Sequence, residues 1–221
     1  MQTAKGILFD FDGVIGETME DNYKAWLFAL SQYGCTFTKE EYFQLEGMRV
    51  SKIAENVLTK FGKDPVHGAE IAKLKDSYYN ENNTFRFADG VSELISNLKK
   101  NNIPFGLVSG GARQRLINKN TEEVLSHFSA LVTADDCKIG KPDAEPYLIG
   151  AQKLGLKPEE CVVVENAPLG VEAAKAAGMF CIALCTTLSE NFLQKADTWL
   201  PDFHSLLNIL TIEPGKIMIT N

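Results

Sequence analysis

The rhythm of the chain changes near Phe85, and the change limits the folds open to it. Beyond that point, short apolar runs alternate with segments whose apolar residues recur at helical spacing. The runs Pro104–Val108, Ala130–Thr133, Cys161–Val164, Phe180–Leu184 and Thr198–Leu200 read as strands. Helices are expected over Asp89–Lys100, Ala112–Leu125, Asp143–Leu154, Pro168–Ala177, Glu190–Ala196 and Asp202–Leu210, with Asp89 as an N-cap and Gly178 as a C-cap. One more strand, Gly6–Phe11, opens the chain. Strands alternating with helices predict an α/β fold with a doubly wound parallel sheet. Cys161–Val164 is nearly all β-formers, which suits a strand covered on both faces. The tail Glu213–Asn221 is expected to fray or to form an edge strand.

Between Glu17 and Phe85 nothing alternates like a strand. Asp21–Tyr33 places Trp26, Leu27, Leu30 and Tyr33 at helical spacing, and Gly34 stops it. Thr38-Lys39-Glu40-Glu41 has the form of a capping box. Val50–Phe61 and Pro65–Asn80 continue the helical pattern. The expected organisation is an α/β core from residues 1–16 and 86–221, with a helical unit at 17–85 inserted after the first strand.

Composition removes several classes of function. A chain of 221 residues accommodates one large domain, or a core with an insertion. Its net charge of −7 argues against non-specific nucleic-acid binding, which needs clustered cations. An anionic substrate must then be met by local cations or a metal. The five cysteines are scattered, odd in number and without a C-x-x-C pair, which reads as reduced thiols in a cytoplasmic protein. Neither a signal peptide nor a membrane-spanning segment is expected. His67, His127 and His204 lie outside every motif below, so no histidine-based apparatus is expected.

In doubly wound sheets ligands gather at the C-terminal strand ends, and four such ends carry polar groups here. The first strand runs into Asp10-Phe11-Asp12-Gly13. Residues i and i+2 of a strand share a face, so the two carboxylates leave it together. A hard divalent cation would relieve their repulsion; a strand entering an Asx-type turn is the plainer alternative. The second strand ends Ser109-Gly110-Gly111, able to offer a hydroxyl and backbone N–H groups to an anion, or merely to turn. Gly140-Lys141-Pro142-Asp143 follows the third, and Pro142 disfavours helical geometry at Lys141, leaving it ahead of a helix start. The fourth ends Val164-Glu165-Asn166-Ala167-Pro168, where Glu165 and Asn166 supply oxygens or Asn166 caps the next helix.

In this order the four elements resemble the haloacid dehalogenase superfamily, in the subclass with a helical cap after the first strand. Asp-x-Asp-Gly-Val-Ile, Ser-Gly-Gly, Gly-Lys-Pro-Asp and Glu-Asn-Ala-Pro-Leu-Gly carry the likeness, which spans Lys5–Leu210. The nearest group looks like the β-phosphoglucomutases and small-molecule phosphatases. The resemblance implies Asp10 as nucleophile and Asp12 as general acid and base. It implies Ser109, Gly110 and Lys141 around the phosphoryl oxygens, and Mg²⁺ held by Asp10, the main-chain carbonyl of Asp12, Glu165 and Asn166. Family members that cleave carbon–halogen bonds lack the second carboxylate and need no metal, so Asp12 tells against dehalogenation.

Two departures from the family's pattern bear on substrate. Asn166 stands where an acidic residue is commoner, which weakens the metal site by one charge. Asn22 stands where the mutases carry a histidine, four residues past the threonine matched by Thr18. The cap's substrate loop, Leu45-Glu46-Gly47-Met48-Arg49, carries Glu46 where mutases tend to be basic. Glu46 is therefore expected either to approach the metal, compensating Asn166 and favouring pyrophosphate, or to be a solvated charge. Arg49 and Lys75 are the cap's candidates for a second anionic group. The leading expectation is a Mg²⁺-dependent phosphohydrolase of a small phosphate compound, acting as a monomer. A β-phosphoglucomutase-type mutase is the alternative, and a non-catalytic binding module the third reading.

Overall fold

A computed structural model describes residues 2–118 and 120–220. Its strands are β1 (Gln2–Ala4), β2 (Gly6–Phe9), β3 (Phe105–Val108), β4 (Ala130–Val132), β5 (Cys161–Glu165), β6 (Phe180–Leu184), β7 (Thr198–Leu200), β8 (Leu210–Glu213) and β9 (Lys216–Ile219). Six form one sheet in the order β4-β3-β2-β5-β6-β7, every pair parallel. Strand β2 is central, with Ile7 opposite both Phe105 and Val162. The strand order reverses at this point: later strands extend to one side as far as β4, then to the other from β5. A crevice opens there at the C-terminal edge.

Alternation along β2 separates two cores. Ile7 and Phe9 enter one apolar cluster with Val91, Leu94 and Leu98 of helix α5 (Val91–Lys100). Leu8 enters the other with Tyr147, Ala151, Ala173 and Ala174, from helices α8 (Glu145–Leu154) and α9 (Pro168–Ala176). Both faces of the sheet are thus covered, as the continuous apolar runs require.

Helices α1 (Met19–Ser31), α2 (Lys39–Leu45), α3 (Val50–Lys60) and α4 (Gly68–Asn82) bury a third cluster built on Trp26, Leu30, Tyr42, Ile53, Leu58 and Ile71. The capping box at Thr38 forms, with Glu41 N–H donating to Thr38 Oγ1 and Thr38 N–H to Glu41 Oε2. The two segments that join this unit to the sheet pair with each other: Glu17 N–H donates to Arg86 O at 2.9 Å, and Ala88 N–H to Ile15 O at 2.9 Å. We propose the boundary between core and helical cap at these paired linkers.

Several expected elements are shorter or placed differently. The expected helix Ala112–Leu125 is two short ones, α6 (Arg113–Leu116) and α7 (Glu122–Leu125). Between them Thr121 Oγ1 receives Asn118 N–H at 3.0 Å and donates to Leu116 O, so side chains take over backbone groups a helix would use. The expected helices at 190–196 and 202–210 reduce to a 3₁₀ turn, Glu190–Phe192, and to α10 (Leu206–Ile209). Asp89 does not cap α5; Gly90 holds that position, at φ 86°. The expected edge strand in the tail is instead the middle strand, β9, of an antiparallel sheet ordered β1-β9-β8. Ile217 and Ile219 are buried there. No helix among the described residues is long and apolar enough to cross a membrane.

Candidate active site

The crevice gathers Asp10, Asp12, Ser109, Lys141, Glu165 and Asn166, all buried. Asp10 follows β2 directly, its N–H donating to Val164 O on β5 at 2.9 Å. Lys141 reaches in beneath the sheet edge. Its Nζ donates to Asp10 Oδ1 and Glu165 Oε1, each at 2.6 Å, and to Val108 O at 3.2 Å. Burial opposes the ammonium, but Asp10 and Glu165 together raise its pKa and keep it charged. Burial pushes the Asp10 carboxyl well above its ordinary range; Lys141 counters this, while Glu165 and Asp12 add to it.

Glu165 has both oxygens bonded within the protein. Oε1 receives Lys141 and the Tyr147 hydroxyl, the latter at 2.9 Å. Oε2 receives the N–H groups of Asn166 and Ala167 at 2.8 and 3.1 Å, at the start of α9. Gly170 makes this possible, since a Cβ there would stand 1.7 Å from Glu165 Oε1. Glu165, expected as a metal ligand, therefore anchors Lys141 first. Asn166 differs: Nδ2 donates to Thr187 Oγ1 at 3.2 Å, and Oδ1 is buried without a hydrogen-bond partner.

Asp12 sits in different company. Oδ1 accepts from Thr18 Oγ1 at 2.6 Å, Asn22 Nδ2 at 3.1 Å and Arg115 Nη1 at 3.0 Å, and Oδ2 accepts from Arg115 Nη2. Burial alone would raise its carboxyl; the Arg115 charge and the bonds from Arg115 and Thr18 outweigh burial and hold it at about 2. Arg115, from α6, is the group sequence reasoning missed. Its one sequence signal is Gly111, where a Cβ would lie 2.5 Å from Arg115 Nη2.

The cap closes this crevice. A Cβ on Gly110 would meet Gly47 O at 2.5 Å, and one on Gly47 would meet Lys141 Cδ at 3.1 Å, so the 45–49 loop lies on the Ser109-Gly110-Gly111 turn. Ser109 Oγ accepts from Gly111 N–H at 3.1 Å, which leaves its own proton for an oxygen in the crevice. Arg49, expected to meet an anion, instead donates to the main-chain oxygens of Cys137 and, at 3.4 Å, Ala134. It fastens the cap loop to the core. Lys75 is buried, with Nζ 2.5 Å from Asn22 Oδ1 and 3.3 Å from Asp76 Oδ1.

Glu46 is half-buried beside the Tyr42 hydroxyl. Its surroundings and Asp12 raise its carboxyl, with Tyr42, Lys75 and Arg115 opposing. It thus lies with the charges around Asp12.

Among the described residues no three His, Cys, Asp or Glu side chains group as a metal cluster. Asp12 is turned to Arg115, Glu165 to Lys141, and the fourth position is an amide. The donors that remain are the Asp10 carboxylate, the Asp12 carbonyl and Asn166 Oδ1. They are all oxygens, as Mg²⁺ prefers, and the orphaned Asn166 Oδ1 suits a cation.

The family model for haloacid dehalogenase-like hydrolases matches residues 7–184. Hexitol phosphatase A of Escherichia coli (strain K12) is 32% identical over 218 residues, 98% of this chain and 99% of that one. β-Phosphoglucomutase of Bacillus subtilis (strain 168) is 28% identical over 194 residues, 81% and 83% of the two chains. Among solved structures, a Bacteroides vulgatus protein provisionally described as a β-phosphoglucomutase superposes with a TM-score of 0.82 at 31% identity, covering 91% of this chain and 85% of that one.

Proposed function

The chain belongs to the haloacid dehalogenase-like hydrolases, and on that premise we propose that it is a Mg²⁺-dependent phosphohydrolase of a small phosphorylated metabolite or pyrophosphate. Within the family it falls in the phosphatase and β-phosphoglucomutase-like group. The single observation that carries the reading is Lys141, held 2.6 Å from both Asp10 and Glu165 in a buried crevice. That geometry fixes a carboxylate oxygen beside a permanent cation, the pair that in-line attack on phosphorus needs.

Asp10 attacks phosphorus, forming its P–O bond as the bond to the leaving oxygen breaks. Asp12, ionised while Arg115 holds both its oxygens, takes up a proton from solvent as Oδ2 leaves Arg115 and delivers it to that oxygen. Water then attacks the aspartyl phosphate, Asp12 takes its proton, and the Asp10–phosphorus link opens to release phosphate. Ser109 and Lys141 hold the phosphoryl oxygens meanwhile. Mg²⁺ would be held by Asp10, the Asp12 carbonyl and Asn166, with Glu165 behind them, and would offset phosphoryl charge. Because Asp10 and Asp12 are buried under the 45–49 loop, the cap must open to admit substrate.

Similarity to β-phosphoglucomutases keeps a hexose-phosphate mutase as the second reading. Asn22 weighs against it, since an amide bonded to Asp12 and Lys75 relays no proton. The test is phosphate release from a panel of sugar phosphates, phosphocarboxylates and pyrophosphate with and without Mg²⁺. Release from at least one class supports the proposal. Isomerisation of β-glucose 1-phosphate, stimulated by glucose 1,6-bisphosphate and without net phosphate release, refutes it in favour of the mutase.

A further inference from the structure

The proposed reaction leaves one buried group without an explanation. Arg115 is 6% exposed, and its guanidinium gives both terminal nitrogens to Asp12. Its Nε is buried with no hydrogen-bond partner. The guanidinium carbon lies 5.4 Å from the centroid of the Tyr79 ring, on cap helix α4. Lys75 Nζ stands 5.3 Å from the same centroid. Two cations from different structural units, one from core and one from cap, thus share one aromatic ring at the closed seam. Bringing both out of water is costly, and burial together with Arg115 lowers the Lys75 pKa.

Asp12 cannot satisfy Arg115 and a leaving oxygen with the same atoms. Oδ1 already accepts three bonds, from Thr18, Asn22 and Arg115. Oδ2 is the oxygen able to turn to substrate, and turning it releases Arg115 Nη2. A buried guanidinium released in this way needs a new anion nearby. Arg115 cannot retreat to water, because Gly111, Tyr79 and the closed cap enclose it.

We propose that Arg115 is a specificity-determining residue that passes from Asp12 to a second oxyanion, carried on the leaving side of the substrate, with Lys75 as the neighbouring cation. Resting on the phosphohydrolase reading, this narrows the substrate class. The preferred compounds carry a phosphate or carboxylate in addition to the phosphoryl group removed. A planar guanidinium with five donors suits either oxyanion. A neutral sugar phosphate offers Arg115 nothing, and for it the Arg115–Asp12 pair opposes engagement of the leaving oxygen.

The test is a ratio of kcat/KM within matched pairs: pyrophosphate against p-nitrophenyl phosphate, and glucose 1,6-bisphosphate against glucose 6-phosphate. Loss of folded enzyme cancels in such a ratio. The wild type is expected to favour the member with the second oxyanion by about 10- to 100-fold, the range for a charge-assisted hydrogen bond. Arg115→Met should collapse the ratio towards unity, mainly through KM of the doubly charged member. Arg115→Lys, which keeps a charge but loses the fork, should fall between, and it carries the test if Arg115→Met does not fold. An unchanged ratio in Arg115→Lys and Arg115→Met, or no preference in the wild type, overturns the proposal. Absence of phosphate release by wild type from every member would instead refute the phosphohydrolase reading. The same ratio taken from calorimetric affinities of wild type and Arg115→Lys then decides the role of Arg115 alone.

Discussion

Replacing Arg115 by methionine leaves the Asp12 carboxyl, 3% exposed, with hydrogen bonds from Thr18 and Asn22 and the weaker influence of the Lys75 charge. Removing one partner of a buried ion pair costs about 3–5 kcal/mol. The carboxylate can limit that loss by taking up a proton, so the loss depends on pH. In the wild type the Asp12 carboxyl lies at about 2, below its ordinary 3.8. Its pairing therefore contributes about 2 kcal/mol above pH 4, lost only as pH falls through about 2. In the variant the sign reverses. A carboxyl raised by burial destabilises the fold increasingly with pH, by about 1.4 kcal/mol per unit between the unfolded pKa and its own. Urea denaturation of both proteins at pH 5 and pH 7.5 measures this. The variant should lose about 3–5 kcal/mol at pH 7.5 and at least about 1 kcal/mol less than that at pH 5. A loss below about 1 kcal/mol at pH 7.5, or an equal loss at both pH values, would refute the assignment of a buried charge pair.

Other perturbations follow from the same geometry. Gly170→Ala drives a Cβ to 1.7 Å from Glu165 Oε1, a carboxylate fixed by four donors; stability in urea should fall by about 3 kcal/mol, and an unchanged midpoint would show that Glu165 is not held there. Gly110→Ala places a methyl 2.5 Å from Gly47 O and should impair cap closure, lowering kcat/KM by about tenfold or more while the melting temperature changes little; the reverse pattern would make Gly110 a folding residue. Asn166→Asp adds a charge where an oxygen already lacks a partner, so half-saturating Mg²⁺ should fall by about tenfold in a titration of activity or of thermal stabilisation. Equal or weaker Mg²⁺ dependence would remove Asn166 from the metal site.

Much of this architecture is legible in residue order, for identifiable reasons. Strand and helix alternate after Phe85, both faces of β2 are apolar, and polar groups fall just past the strand ends, so the sheet and its crevice follow from period and position. Asp10, Lys141 and Glu165 converge because parallel neighbours β2 and β5 deliver their ends to one edge. Partner choice was less visible. Arg115 lies in a segment whose composition suits a continuous helix with its arginines in solvent. After Leu116 the helix does not run on: Thr121 Oγ1 bonds back to Leu116 O, and Arg115, in the short α6 before it, is buried on Asp12. Arg49 carries the charge expected of an anion site, yet its partners are main-chain oxygens of Ala134 and Cys137, which no side-chain pattern marks. Glu46 lies with the charges at Asp12 because the cap loop is seated on the core, a long-range property that a local pattern does not carry. β1 and β9 escaped as a pair because three residues of β1 are too few to show a period.

The central claim is that Asp10 becomes phosphorylated in a crevice that Lys141 and Glu165 organise. Mixing the wild type with Mg²⁺ and a substrate that releases phosphate, quenching in acid and mapping peptides by mass spectrometry tests it directly. A transient phosphoryl adduct on the peptide containing Asp10, absent in Asp10→Asn together with turnover, is the predicted result. Substantial phosphate release by Asp10→Asn, or an adduct on any other residue, would contradict the account.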